Sequence, residues 1–149
     1  MSDSLRILFL VIVCAVVAAL FFAQGYGIVE IGSTTLFVEL AKTPQSIEQG
    51  LGGRDRLLFA QGMLFILPRR TIPSFWMKNM RFPIDIVWID DQKVVDVHKD
   101  VVDPTIDTPD EELPLFRPSS AVTYVLELPA GEIERRQIHV GDIVRIRVP

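Results

Sequence analysis

The sequence predicts a mainly β fold, a small sandwich or barrel with two short helices, preceded by an amino-terminal hydrophobic helix. Three observations lead there. From Ile28 onward the apolar residues come in short runs bounded by Gly, Pro, Asp and Asn, the pattern of many short strands joined by turns. No alternation of strands with long helices supports a doubly wound sheet, and no glycine-rich phosphate loop is present. Ahead of all this, Ile7 to Ala23 is one unbroken apolar run. The chain therefore divides into residues 1–25, an appendage, and 26–149, one domain of ordinary size.

The elements follow in order. After a linker, Gln24 to Gly27, the segments Ile28–Ile31 and Leu36–Leu40 read as a hairpin around Gly32-Ser33-Thr34. Thr43-Pro44 starts a helix, a capping hydroxyl followed by proline at the first helical position. Gly50 and the Gly52-Gly53 pair end it. Gly62 to Leu67 is a strand and Pro68 to Thr71 a turn. Ser74–Lys78 and Ile84–Ile89 are the next strands, with Pro83 at the start of the latter, because proline has no N–H for a ladder. Val94–Val101 returns after a turn at Asp90–Lys93. Its alternation puts Val95, Val97 and Lys99 on one face and Asp96, His98 and Asp100 on the other. Asp103–Pro118 is irregular, rich in proline and acids, and reads as a functional flap or a partly disordered connector. Ala121–Leu128 is a strand, Ala130–Gln137 a short helix, and Ile143–Val148 the last strand.

Phe75-Trp76-Met77-Lys78-Asn79 with Pro83-Ile84-Asp85-Ile86 resembles the signature of the family known as domain of unknown function 192. Gly50-Leu51-Gly52-Gly53-Arg54, Gly62-Met63-Leu64-Phe65, Tyr124-Val125-Leu126-Glu127-Leu128, Ala130-Gly131 and Gly141-Asp142 are similar to further blocks of that family in the same order. The resemblance covers roughly residues 35–149. It implies a small, mostly β domain, often carried behind a secretion or membrane signal, and no established activity.

The net charge is −4 and the isoelectric point near 5.1. No basic run is present, which argues against a nucleic-acid partner. Ile7–Ala23 would make about 26 Å of helix, at the lower limit for a bilayer. Arg6 precedes it and no Lys or Arg follows before Lys42, so the positive-inside rule places the domain outside the cytoplasm. The expectation is a membrane partner engaged through Ile7–Ala23. The rival is a signal peptide cut after Gly25, which would leave the domain secreted or periplasmic. The single cysteine, Cys14, lies in the run, so the domain has no thiol for a disulfide, a nucleophile or a zinc-thiolate site. No cofactor is expected. His98 and His139 have no third ligand at metal spacing, and no metal is expected either.

The candidate ligand-binding residues are Arg54, Trp76, Lys78, Asn79 and Asp85. Lysine can donate to an anion, asparagine can donate and accept, and a nearby carboxylate could orient a ligand. Arg54 follows a glycine cluster, from which a guanidinium could grip a planar anion. Trp76 and Trp88 could stack on a flat ligand, or be core. The plain structural alternatives are a Lys78–Asp85 ion pair, Asn79 bonded to the turn before Pro83, and Arg54 paired with Asp55 or a neighbouring acid. The functional expectation is a β domain that binds a small ligand or an envelope partner without doing chemistry. The alternatives are an envelope hydrolase or transferase using Asp85 with Lys78 or Asn79, and a purely structural interaction domain.

Overall fold

The computed structural model describes residues 3–23, 25–58, 60–102 and 108–149. Seven strands form one sheet: β1 (Tyr26–Ile31), β2 (Thr34–Ala41), β3 (Gly62–Thr71), β4 (Ile84–Asp90), β5 (Lys93–Val101), β6 (Val122–Pro129) and β7 (Val144–Arg147). The helices are α1 (Asp3–Ala23), α2 (Pro44–Gln49) and α3 (Glu132–Arg135), with a single 3-10 turn at Asp110–Glu112. The strand order is β5-β4-β6-β3-β2-β1-β7, antiparallel except for the β2–β3 pair. The two ends approach each other. Lys93 bridges Ile143, the Val94 N–H donates to the Asp142 carbonyl at 3.0 Å, and the Val144 N–H donates to the Gln92 carbonyl at 2.8 Å. The result is one curled sheet, a half-barrel, rather than two stacked sheets.

The short helix α2 forms where the sequence places it. Thr43 Oγ1 accepts from the Ser46 N–H at 3.1 Å, and Ser46 Oγ accepts from the Thr43 N–H at 2.9 Å, a reciprocal cap ahead of Pro44. α2 and the loop after it carry the chain across to a parallel β3, which a tight hairpin could not do.

The sheet is buried on both faces at its centre, which is why Ile84–Ile89 reads as a continuous apolar run. One face packs Val29, Leu36, Leu64, Val87, Ile89 and Leu126 under Ile133 of α3. The other packs Phe65, Ile84, Ile86, Trp88 and Val125 under Leu51, Met77 and Met80. Each such side chain contributes about 1.5–3 kcal/mol of burial. A row of edge-on rings runs along this second face: Phe65 to Phe75 at 5.0 Å, Phe75 to Trp88 at 5.5 Å, Trp88 to His98 at 5.8 Å and His98 to Phe116 at 5.7 Å. Trp88 is wholly buried, and its indole N–H donates to His98 Nδ1 at 2.8 Å, so the neutral ring carries its proton on Nε2. His98 therefore belongs to packed structure and not to a solvated strand face. Among the described residues no three metal-binding side chains converge.

Three local expectations are corrected. Ser74–Lys78 is not a strand. Only Phe75 bridges, to Phe116, and Lys78-Asn79 is a turn with Asn79 at φ 57°, which no ladder accommodates. The segment instead lies over the second face and inserts Met77 and Met80. β3 does not end before Pro68 but continues to Thr71, with a register shift between Ile66 and Thr71 that leaves the proline out of the ladder. In β5, Asp96 faces Trp88 while Val94 faces Ile89, so Val95 is the extra residue of a bulge. The bulge turns Val95 toward the Trp88 face and leaves Val97 on the opposite one.

Two expectations touch residues that are not described. Of Asp103–Pro118, residues 103–107 lie outside the described residues. So does Gln24 of the linker; of the rest, Gly25 is a turn residue and Tyr26-Gly27 already belongs to β1. The side chains described for α1, 4–16, are all exposed. Among the described residues no helix is long and apolar enough to cross a membrane.

Candidate functional site

A cleft of about 160 Å³ opens on the second face of the sheet. One wall is the end of α2 with the loop Gly50–Gly52. The other is the irregular segment Ser74–Lys78. Phe65 of β3 and Glu127 of β6 also line it. Two glycines let the walls close. Gly50 sits at φ 49° as the helix cap and faces the Phe65 ring, where a Cβ would stand 3.3 Å away. Gly52 lies against the Lys78 carbonyl, 3.1 Å from where its Cβ would be. Beside it the Gly53 N–H donates to the Asn79 carbonyl at 2.8 Å, tying the two walls together.

Glu127 is the acid the sequence reading did not single out. Its strand neighbours are Met63 on β3 and Ile86 on β4, both apolar. It is 5% exposed, and its Oε2 is fully buried with no hydrogen-bond partner among the described residues. Burial pushes its carboxyl up to about 8 from the ordinary 4.5, so it is mostly protonated at neutral pH. A signal was present in the sequence: one charged residue within Val125-Leu126-Glu127-Leu128.

The five sequence candidates are dispersed. Trp76 and Lys78 line the cleft. Trp76 is 41% exposed, and Lys78 Nζ lies 5.6 Å from its ring centroid. Lys78 pairs with Asp110, not with Asp85. Asn79 stands in an adjoining hollow with Gln49 and Gly52. Arg54 pairs with Glu39 at 2.7 Å, whereas Asp55 pairs with Arg81, and Arg54 faces a separate depression beside Tyr26. Asp85 is fully buried and does not line the cleft. Its strand neighbours Ile84 and Ile86 belong to the cleft face, so Asp85 points to the other. There Oδ2 accepts from the Ile133 N–H at 2.8 Å and Oδ1 from the Asp100 N–H at 2.9 Å.

Chemically, the cleft offers three aromatic walls (Phe65, Phe75, Trp76), one neutralised cation and one buried acid lacking a partner. Two other acids are held ionised for structure. At Asp96, burial opposes ionisation, but the Ser119 and Val97 N–H groups overcome it and lower its pKa. At Glu132, burial is overcome by Arg135 and Arg136.

Substitutions at the rim should separate pocket from scaffold. Lys78→Ala removes an exposed ion pair and should change stability by less than about 0.5 kcal/mol. Asn79 occupies a left-handed turn, so Asn79→Val should cost at least about 1 kcal/mol while Asn79→Gly stays within about 0.5 kcal/mol. Urea denaturation of the three variants checks both. A cost of 2 kcal/mol or more for Lys78→Ala, the usual range for a buried partner left unpaired, would make that pair structural.

The family model DUF192, described as an uncharacterized ACR, matches residues 27–146. A candidate transcription regulator from Sinorhizobium meliloti 1021 shares 30% sequence identity over 82% of this chain and 94% of its own, with a TM-score of 0.71. A protein of unknown function from Novosphingobium aromaticivorans DSM 12444 shares 26% over 80% and 84%, with a TM-score of 0.69. Among curated proteins, none matches.

Proposed function

Because the chain belongs to the DUF192 family, whose description assigns no activity, we propose a function from the cleft itself: a membrane-tethered β domain, held outside the cytoplasm, that binds one small molecule without transforming it. The observation that carries this is Glu127. A buried polar atom without a partner costs on the order of 1–3 kcal/mol. Such a cost at the base of an aromatic cleft is recovered when a ligand supplies the missing hydrogen bond. The volume suits a ligand of one ring, comparable to the ~150 Å³ cavity that holds benzene.

The tether rests on Ile7–Ala23 and its Arg6 flank. Ile7, Phe9 and Leu10 are each more than 60% exposed, and side chains so apolar favour a nonpolar medium. The regulator description of the Sinorhizobium protein is not carried over, since a net charge of −4 without a basic run offers little to phosphates.

The raised carboxyl also favours a second reading, a proton donor in an envelope hydrolase or transferase. In that case Glu127 takes the place expected for Asp85.

Native mass spectrometry on full-length protein, extracted in mild detergent from washed membranes of its own source, tests the proposal. The expected spectrum carries one small-molecule adduct that Phe75→Ala loses. Recovery of the chain in the soluble fraction would overturn the tether, and a bare mass throughout would overturn the ligand.

A further inference from the structure

The ligand's chemical class can be read from the charges around the cleft, granted the small-molecule reading above. An anionic ligand needs an available cation. Among the described residues the one basic side chain lining the cleft is Lys78, and Asp110 already neutralises it. The nearby guanidinium groups are also engaged, Arg54 with Glu39 and Arg81 with Asp55. The lining carries two carboxyls, Glu48 at the end of α2 and Glu127 within. Aromatic rings complete the walls, and a cation set over such a ring is attracted to it. Every one of these features favours positive charge.

We propose that the cleft binds a compact organic ammonium, a primary amine on a flat apolar frame, with its N–H donating to the Glu127 carboxylate and its frame against Phe65 and Phe75. Glu127 gives up its proton as the cation enters, and the proton leaves to solvent. The amine is already protonated, so the balance is one cation bound and one proton released. Each partner then lacks its charge penalty only in the other's presence, which confers selectivity over a neutral isostere.

Three probes of one shape test this: benzylamine, benzyl alcohol and benzoate, titrated calorimetrically into the full-length chain in neutral detergent. Glu127 has Met63 and Ile86 beside it on the neighbouring strands, and the other charged groups lining the cleft are Glu48 and the Asp110-paired Lys78. Because its carboxyl holds its proton up to about 8, benzylamine should bind about ten-fold tighter for each pH unit between 6 and 8. Runs in buffers of different ionisation enthalpy should show one proton released per benzylamine. Glu127→Gln should weaken benzylamine about 100-fold and flatten the pH dependence. Wild-type proton release decides the matter even if that variant does not fold. Equal or tighter binding of benzyl alcohol or benzoate would overturn the ammonium class while leaving a small-molecule cleft in place. Failure of all three to bind would overturn both readings.

Discussion

Between pH 4.5 and 8 the ligand-free protein is expected to lose stability as the pH rises, by about 1.4 kcal/mol per pH unit. Glu127 is the cause. In the unfolded chain its carboxyl ionises near 4.5, whereas in the fold burial keeps it protonated up to about 8. Across that window the native state binds more protons than the unfolded state, and linkage makes stability fall with pH. The contribution is complete below the lower value and gone above the upper. Asp96 and Glu132 act with the opposite sign, because their folded pKa values are lowered. Their stabilisation is present above about pH 4 and lost as the pH falls further. The optimum should therefore lie near about pH 4–5, below the usual range of ~5–8. Urea midpoints at pH 5, 6, 7 and 8 check this. The midpoint of the wild type should fall steadily, while Glu127→Gln stays level and exceeds it at pH 8. A wild-type midpoint that does not move would show that Glu127 ionises freely in the fold. The total is a large share of the ~5–15 kcal/mol that holds a domain of this size together.

Asp85→Ala should destabilise the protein by about 2–6 kcal/mol, because it strands two donors at about 1–3 kcal/mol each. The Ile133 N–H ties α3 to β4 through this carboxylate, and the Asp100 N–H ties down the end of β5, where Asp100 sits at φ 51°. Asp85→Asn should recover little, since an amide presents an N–H₂ to one of the two donors and lacks the charge that strengthens both bonds. Denaturation of both variants supplies the numbers, and ligand retention at a permissive temperature supplies the contrast. A loss under 0.5 kcal/mol, of the size expected for an unremarkable surface change, together with lost ligand, would return Asp85 to the site.

Sequence logic succeeded where the determining interaction is local. Thr43-Pro44 caps its helix from within four residues, and Pro83 precedes β4 because it lacks an N–H. It failed where the partner is distant. Lys78 finds Asp110, 32 residues away, and Arg54 finds Glu39 across the glycine loop. Neither pairing leaves a periodic trace. Ser74–Lys78 has strand-like composition, yet its Phe75 and Met77 are drawn onto the Trp88 face, and the Asn79 turn prevents a ladder. Of the candidate site, Trp76 and Lys78 were legible as cleft residues, with Asn79 beside them. Glu127 was visible only as an oddity in an apolar strand. Its importance depends on facing Met63 and Ile86, which the sheet register decides.

The position of β7 bears on how the chain folds. β7 pairs with β1, the first strand of the sheet, and the residues just before it contact the start of β5. Both contacts close long loops of chain, and the entropy of closing them comes before the contacts reward it. The curl of the sheet is thus a late event, resting on pairs far apart in sequence, and such topologies fold slowly.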